Sequence, residues 1–115
     1  MSNTGTLVKN YFEMWNEPDA STRRDIIEKL WTQDAMSVDP VAAAKGHEEI
    51  AAMVTGVQTS YPGHRFNLAG EITEHHDRLH FRWEMKDADE KVQLAGLDSV
   101  RLADNQFADL AGFWV

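Results

Sequence analysis

Two aspartates sit where the chain pattern gives a carboxyl group unusual surroundings. Asp39 ends a short strand-like piece, Ala35 to Val38, and is followed by Pro40. The residue before a proline is pushed to extended backbone angles, so Asp39 is held out of helical geometry. A carboxylate fixed at a strand end, beside the small-residue stretch Val41 to Ala44, suits a proton acceptor at a pocket mouth. It equally suits a plain Asp-Pro turn. Asp98 lies in phase with Leu94, Val100 and Leu102, on the side of a strand that should be apolar. A carboxylate buried there without a partner is costly and stays protonated, and a neutral acid can donate a hydrogen bond. Asp98 would instead be ionised if it met a polar pocket or a helix end, and a register slip would turn it outward.

Other chemistry is less well supplied. His75 and His76 adjoin Asp77 in a turn-like stretch, and adjacent residues seldom converge on one metal, so no metal site is expected. His47, at a helix start near Asp39, could line a pocket or simply cap its helix. Trp15, Trp31, Phe66, Phe81, Trp83, Phe113 and Trp114 could wall an apolar pocket or fill the core. The sequence has no glycine-rich phosphate loop and no nucleophile elbow, and no cofactor is called for.

The elements that must position these groups follow from periodicity. Leu7, Val8, Tyr11, Phe12 and Trp15 recur at helical spacing and predict a helix over 5–16. Asn16-Glu17-Pro18-Asp19 breaks it, and Asp19 or Ser21 can cap a second helix over about 20–31. Ile26, Ile27, Leu30 and Trp31 form its apolar face. Arg23, Arg24, Asp25, Glu28 and Lys29 cover the wet one. A third helix is expected over about 47–59, with Glu48 and Glu49 at its positive end. After Tyr61-Pro62-Gly63 the period changes to two. Phe66, Leu68, Gly70 and Ile72 alternate with polar or small residues. Leu79, Phe81, Trp83 and Met85 then alternate with His80, Arg82, Glu84 and Lys86. Acid-rich Asp87 to Glu90 turns into a strand carrying Val92, Leu94, Gly96, Asp98, Val100 and Leu102 on one face. Ala103-Asp104-Asn105 turns again into a last strand, 107–115. Helices first and strands afterwards predict an α+β fold, with helices on one face of a curved antiparallel sheet.

Composition sets the outer limits. The chain has 115 residues, enough for one core, so a single domain over 1–115 is expected. A net charge of −8 argues against nucleic acid and anionic membrane surfaces, leaving an uncharged or cationic small molecule or a protein partner. No apolar run reaches the roughly 20 residues of a membrane helix, and the first ten residues do not read as a signal peptide. With no cysteine there is no disulfide framework, which fits a cytoplasmic location.

At this point the chain resembles a known superfamily. The pattern runs from an aromatic first helix through W-x-x-D-A-x-x-x-D-P (Trp31 to Pro40) and G-H-E-E-I (Gly46 to Ile50). Y-P-G-H-R-F (Tyr61 to Phe66), L-D-S-V-R-L (Leu97 to Leu102) and an aromatic last strand follow. Nearly the whole chain is similar to the nuclear transport factor 2-like superfamily, in particular its SnoaL-like members and the ketosteroid isomerases. The resemblance implies a cone-shaped fold: a strongly bent antiparallel sheet whose pocket is closed by three N-terminal helices. It also implies a homodimer formed through the open face of the sheet, with His80, Arg82 and Glu84 at the interface. Tyr11, Asp39 and Asp98 fall on the three isomerase positions. Asp39 would then move a proton alpha to a carbonyl, while Tyr11 and protonated Asp98 hydrogen-bond the enolate oxygen. Carbon-acid chemistry needs such a base within reach and such donors at the developing charge.

The resemblance implies a small apolar molecule as substrate, with Trp15, Trp31, His47, Phe66, Phe81, Trp83 and Trp114 around it. The sequence departs from the isomerases where their supporting tyrosines would lie: Trp31 and the Met53-Val54 region stand there. Two further readings share the fold. One is a non-catalytic ligand-binding or dimerisation module. The other is an epoxide hydrolase-like enzyme, to which Arg82 and Glu84 bear a faint likeness, although Gly112 stands near where its second aspartate would be. A SnoaL-type cyclase pairing an aspartate with a histidine is a variant of the acid–base reading.

Overall fold

A computed structural model describes residues 3–115. Helix α1 (Thr4–Asn16) and helix α2 (Ala20–Leu30) lead into strand β1 (Trp31–Val38) and a short β2 (Ala43–Lys45). Helix α3 (Gly46–Ser60) follows, then β3 (Arg65–Leu68), β4 (Thr73–His75), β5 (Arg78–Lys86), β6 (Val92–Ala103) and β7 (Gln106–Trp114). The seven strands form one strongly curved sheet in the order β2-β1-β7-β6-β5-β3, with β4 also paired to β5. The α+β architecture with three helices against a curved sheet is as expected.

Several details correct the sequence reading. Trp31 does not end α2. It opens β1, at 0% exposure in the core, where its indole N–H meets Met14 Sδ at 3.3 Å. The sheet is mixed rather than wholly antiparallel, because β1 runs parallel to β7. The alanine stretch supplies β2, which pairs back on β1. The alternating run 66–72 is a strand only as far as Leu68, in β3, which pairs with the second half of β5; residues 69–72 are a bend leading to β4, which pairs with the first half. Gly70, at φ +94°, lies in the bend between them, a left-handed conformation that glycine adopts without penalty.

Arg23 does not lie on a solvated face. It is 4% exposed, and its guanidinium donates to the Glu17 carbonyl, Gln58 Oε1 and Thr55 Oγ1 at 2.7, 3.1 and 2.8 Å. Gln58 Nε2 donates in turn to the Trp15 and Glu17 carbonyls. The free carbonyls at the end of α1 are thus met by a cation and an amide from α2 and α3, which ties the three helices together. Asp19 caps α2, accepting from Thr22 N and Oγ1, and these bonds hold its carboxyl below the ordinary aspartate value.

The Asn16 side chain fastens the other end of this layer to the sheet. Its amide donates to the Phe66 carbonyl and accepts from the Phe66 N–H, both at 2.8 Å, as a neighbouring strand would. Leu7, Val8, Ile27, Leu30, Ile50, Val54, Phe81, Val100 and Phe107 fill the layer between helices and sheet. Among the described residues, no helix is long and apolar enough to cross a membrane.

Candidate functional site

Asp98 sits mid-strand in β6, facing the helices, and is 3% exposed. Both of its oxygens accept hydrogen bonds. Oδ2 takes the phenol O–H of Tyr11, from α1, at 2.8 Å. Oδ1 takes the indole N–H of Trp83, from β5, at 3.3 Å. The phase argument for Asp98 therefore holds, but the carboxyl is not without partners. Burial lifts its pKa from 3.8 to about 6, against the lowering effect of Tyr11 and Trp83, and the nearby Asp39 charge adds to the rise. Burial, and then Asp98, raise the Tyr11 phenol well above its ordinary value, so it keeps its proton.

Asp39 reaches the same place from another part of the chain. Parallel pairing sets Val38 beside Ala111, which brings Asp39 alongside Gly112. In β7, Gly112 is also the residue directly across from Asp98. A Cβ built on Gly112 would lie 2.9 Å from Asp98 Oδ1 and 3.2 Å from Asp39 Cβ. The two acids therefore close on one glycine, whose missing side chain is the space between them. A bulge in β7 arranges this: Leu102 pairs with Phe107 but Arg101 with Asp109, so Ala108 is extra and Gly112 rather than Ala111 opposes Asp98.

Asp39 is also a turn residue. Its Oδ1 accepts the N–H groups of Val41 and Ala42, each at 2.8 Å. Asp39 thus both holds its own turn and lines a cavity. Among the described residues, both hydrogen bonds to the Asp39 carboxyl go to Oδ1 and none to Oδ2.

Tyr11, Asp39 and Asp98 line one cavity of about 400 Å³. Among the described residues, the two aspartates are the only charged side chains that line it, and its walls are mostly aromatic and aliphatic. Trp15, Phe66, Trp83 and Trp114 line it, as the sequence suggested. Trp31, Phe81 and His47 do not. Trp31 and Phe81 are packed in the core at 0% and 1% exposure. His47 turns its Nε2–H to the Trp31 carbonyl at 2.8 Å. Helix α3 contributes Met53 and Val57 instead. Val41, Tyr61 and Trp114 line the cavity and are partly exposed, so its mouth is apolar.

Arg82 and Glu84, which bear the faint epoxide hydrolase likeness, do not line the cavity. Among the described residues, no three His, Cys, Asp or Glu side chains group to hold a metal.

A bent sheet closed by three helices over one acid-bearing cavity is the nuclear transport factor 2-like architecture. A family model for the SnoaL-like domain matches residues 8–110, and the chain belongs to that family. A SnoaL-like family protein from Agrobacterium tumefaciens, proposed as an isomerase, is 30% identical over 100% of this chain and 99% of its own, with a TM-score of 0.95. A proposed polyketide cyclase from Sinorhizobium meliloti (17% identity, 93% of each chain, TM-score 0.74) shares the fold. So does a proposed ketosteroid isomerase from Kribbella flavida (16% identity, 96% of this chain and 76% of its own, TM-score 0.71). A comparison with curated proteins gave no match.

Proposed function

We propose that this chain is a small acid–base enzyme, of isomerase or cyclase type, that moves a proton next to the carbonyl of an apolar compound held in the cavity. One observation carries the reading: a buried Asp98 bonded to Tyr11 shares a single apolar hollow with Asp39. Asp39 Oδ2 is the base. Tyr11, backed by neutral Asp98, meets the oxygen on which negative charge develops. A low-dielectric wall strengthens those bonds as the charge appears. The Agrobacterium relative's proposed isomerase assignment agrees with this reading.

Neutral Asp98 is the competent form. Its share falls as pH rises through about 6, so activity should decline on the alkaline side of that value. The test is exchange of alpha protons of cyclic ketones in heavy water, followed by NMR at pH 5 to 6. Asp39→Asn should abolish the exchange, and Tyr11→Phe should slow it on the order of 100-fold, the scale of losing one preorganised donor. Exchange at the buffer rate, or indifference to both substitutions, rules the enzyme out.

A second reading is favoured by the Asp39 turn, which uses one carboxylate oxygen to hold its own loop. On that reading the cavity binds an apolar ligand without turning it over. Saturable ketone binding with no exchange would establish it.

Self-association is also proposed. The outer face of the sheet exposes Met36, Val38 and Phe113, with Leu97 paired to Phe113. His80 and Arg82 lie exposed on the same side, next to half-buried Glu84. A second copy would cover these apolar groups.

A further inference from the structure

We propose that Trp83 is a positioning residue for the Asp98–Tyr11 pair. Its indole N–H keeps Asp98 Oδ1 an acceptor and leaves Oδ2, the oxygen shared with Tyr11, as the place where that carboxyl carries its proton. The inference rests on the acid–base reading of the cavity, and it assigns Trp83 a role beyond that of a wall.

The sheet makes room for this contact. Trp83 pairs with Gly96, two residues before Asp98 on the same face of β6. A Cβ at position 96 would fall 2.3 Å from Trp83 Cζ2 and 2.6 Å from Nε1. The indole therefore lies flat across the bare backbone of Gly96, and no other residue type leaves that path open. Phe66 from β3 and Trp114 from β7 flank it, with ring centroids 5.4 and 6.4 Å away. Held on three sides, the ring presents its one polar atom to Asp98 Oδ1.

The chemistry of that atom decides the rest. An indole nitrogen donates and cannot accept, whereas a phenol does both. Asp98 Oδ1 thus faces a group that only gives a proton, and Oδ2 faces one that can also receive. When Asp98 is neutral its hydrogen sits on Oδ2 and points to Tyr11 Oη. The phenol hydrogen is then released from Asp98 and can turn into the cavity. Among the described residues, the groups around Asp98 are Tyr11 from α1, Trp83 from β5, Gly112 from β7 and, as a second charge, Asp39 after β1.

The test uses the full chain with labelled aspartate carboxyl carbons and labelled indole nitrogens, titrated by NMR from pH 4 to 8. In the unaltered protein the Trp83 indole resonance should move with the Asp98 midpoint, and in Asp98→Asn that movement should vanish. Trp83→Phe keeps an aromatic ring at the position and deletes the donor. It should raise the Asp98 midpoint by about one pH unit, a tenfold change in proton affinity, since bonds to a charged acceptor are the stronger class. If ketone exchange is present, the midpoint of its alkaline decline should move by the same amount. An indole resonance that ignores the Asp98 titration, or a midpoint unchanged in Trp83→Phe, overturns the assignment. Neither NMR readout needs turnover. A coupled indole without ketone exchange keeps the positioning role and removes the enzyme, and exchange with an uncoupled indole does the reverse.

Discussion

Replacing Asp98 by asparagine should make the protein more stable at neutral pH. Asparagine has the shape of the neutral acid: its carbonyl can accept from Trp83 while its amide donates to Tyr11 Oη. What it lacks is the ionised form. Burial raises the Asp98 pKa from 3.8 to about 6, which at about 1.4 kcal/mol per pH unit disfavours the buried carboxylate by about 3 kcal/mol. Because the folded state holds this proton more tightly than the unfolded one, the contribution is fully present below pH 4. It is lost as pH rises toward 6 and stays lost above that. The difference between Asp98→Asn and the unaltered chain should therefore grow by about 3 kcal/mol between pH 4 and 7, a relative gain of about 10 °C in melting temperature for a chain of this size. Urea unfolding at matched pH values measures it. A difference that stays constant across that range would mean that Asp98 is not a buried acid with a displaced pKa, and the reading of the cavity would fall with it. Because asparagine stands in for the neutral, competent form of Asp98, the same variant should keep ketone exchange and lose its decline above pH 6.

Three further outcomes are expected. Gly112→Ala puts a methyl group 2.9 Å from Asp98 Oδ1 and 3.2 Å from Asp39 Cβ. It should cost about 1–3 kcal/mol as an overpacked site and should weaken binding of a hydrophobic dye in the cavity; unaltered dye affinity and stability would count against the shared-glycine geometry. Arg23→Met keeps the stem but strands Thr55 Oγ1 and Gln58 Oε1 and leaves the Glu17 carbonyl to Gln58 alone. Thermal unfolding should show a loss of about 2–4 kcal/mol, the scale for breaking a buried polar cluster, and a loss under 0.5 kcal/mol would show the cluster to be dispensable. Size-exclusion with light scattering should give two chains per particle, and Phe113→Asp should give one; a monomeric parent removes the proposed sheet-face interface.

Much of the site could be read from period alone. Tyr11 lies on the apolar stripe of a helix, and Asp98 breaks the apolar side of a two-residue alternation, so each announces its direction. Asp39 is marked by the proline that follows it. The missing parts depend on partners distant in sequence. Trp31 is equally apolar as the end of a helix or the start of a strand, and no glycine or proline punctuates that junction. Strand β2 is two alanines and a lysine, with no strand propensity of their own, and is made by pairing with β1. The bulge at Ala108, on which the meeting of Asp98 with Gly112 depends, leaves no local signature. Arg23 fits the wet-face pattern of its helix and is buried only because the end of α1 and Gln58 come to meet it. Trp83 reads as one more apolar position until the bare backbone of Gly96 shows why its nitrogen reaches a carboxyl.

The parallel seam between β1 and β7 bears on when the cavity comes into being. Val38 and Ala111 are more than seventy residues apart, yet their pairing sets Asp39 next to Gly112. Contacts so distant along a chain close late, after local hairpins and helices have formed, because loop closure must precede any gain from them. The β5–β6–β7 hairpins can form with Asp98 already in register, while Asp39 waits for the first strand to dock. A partly folded chain would hold one acid without the other, so chemistry needing both begins only with the last seam closed.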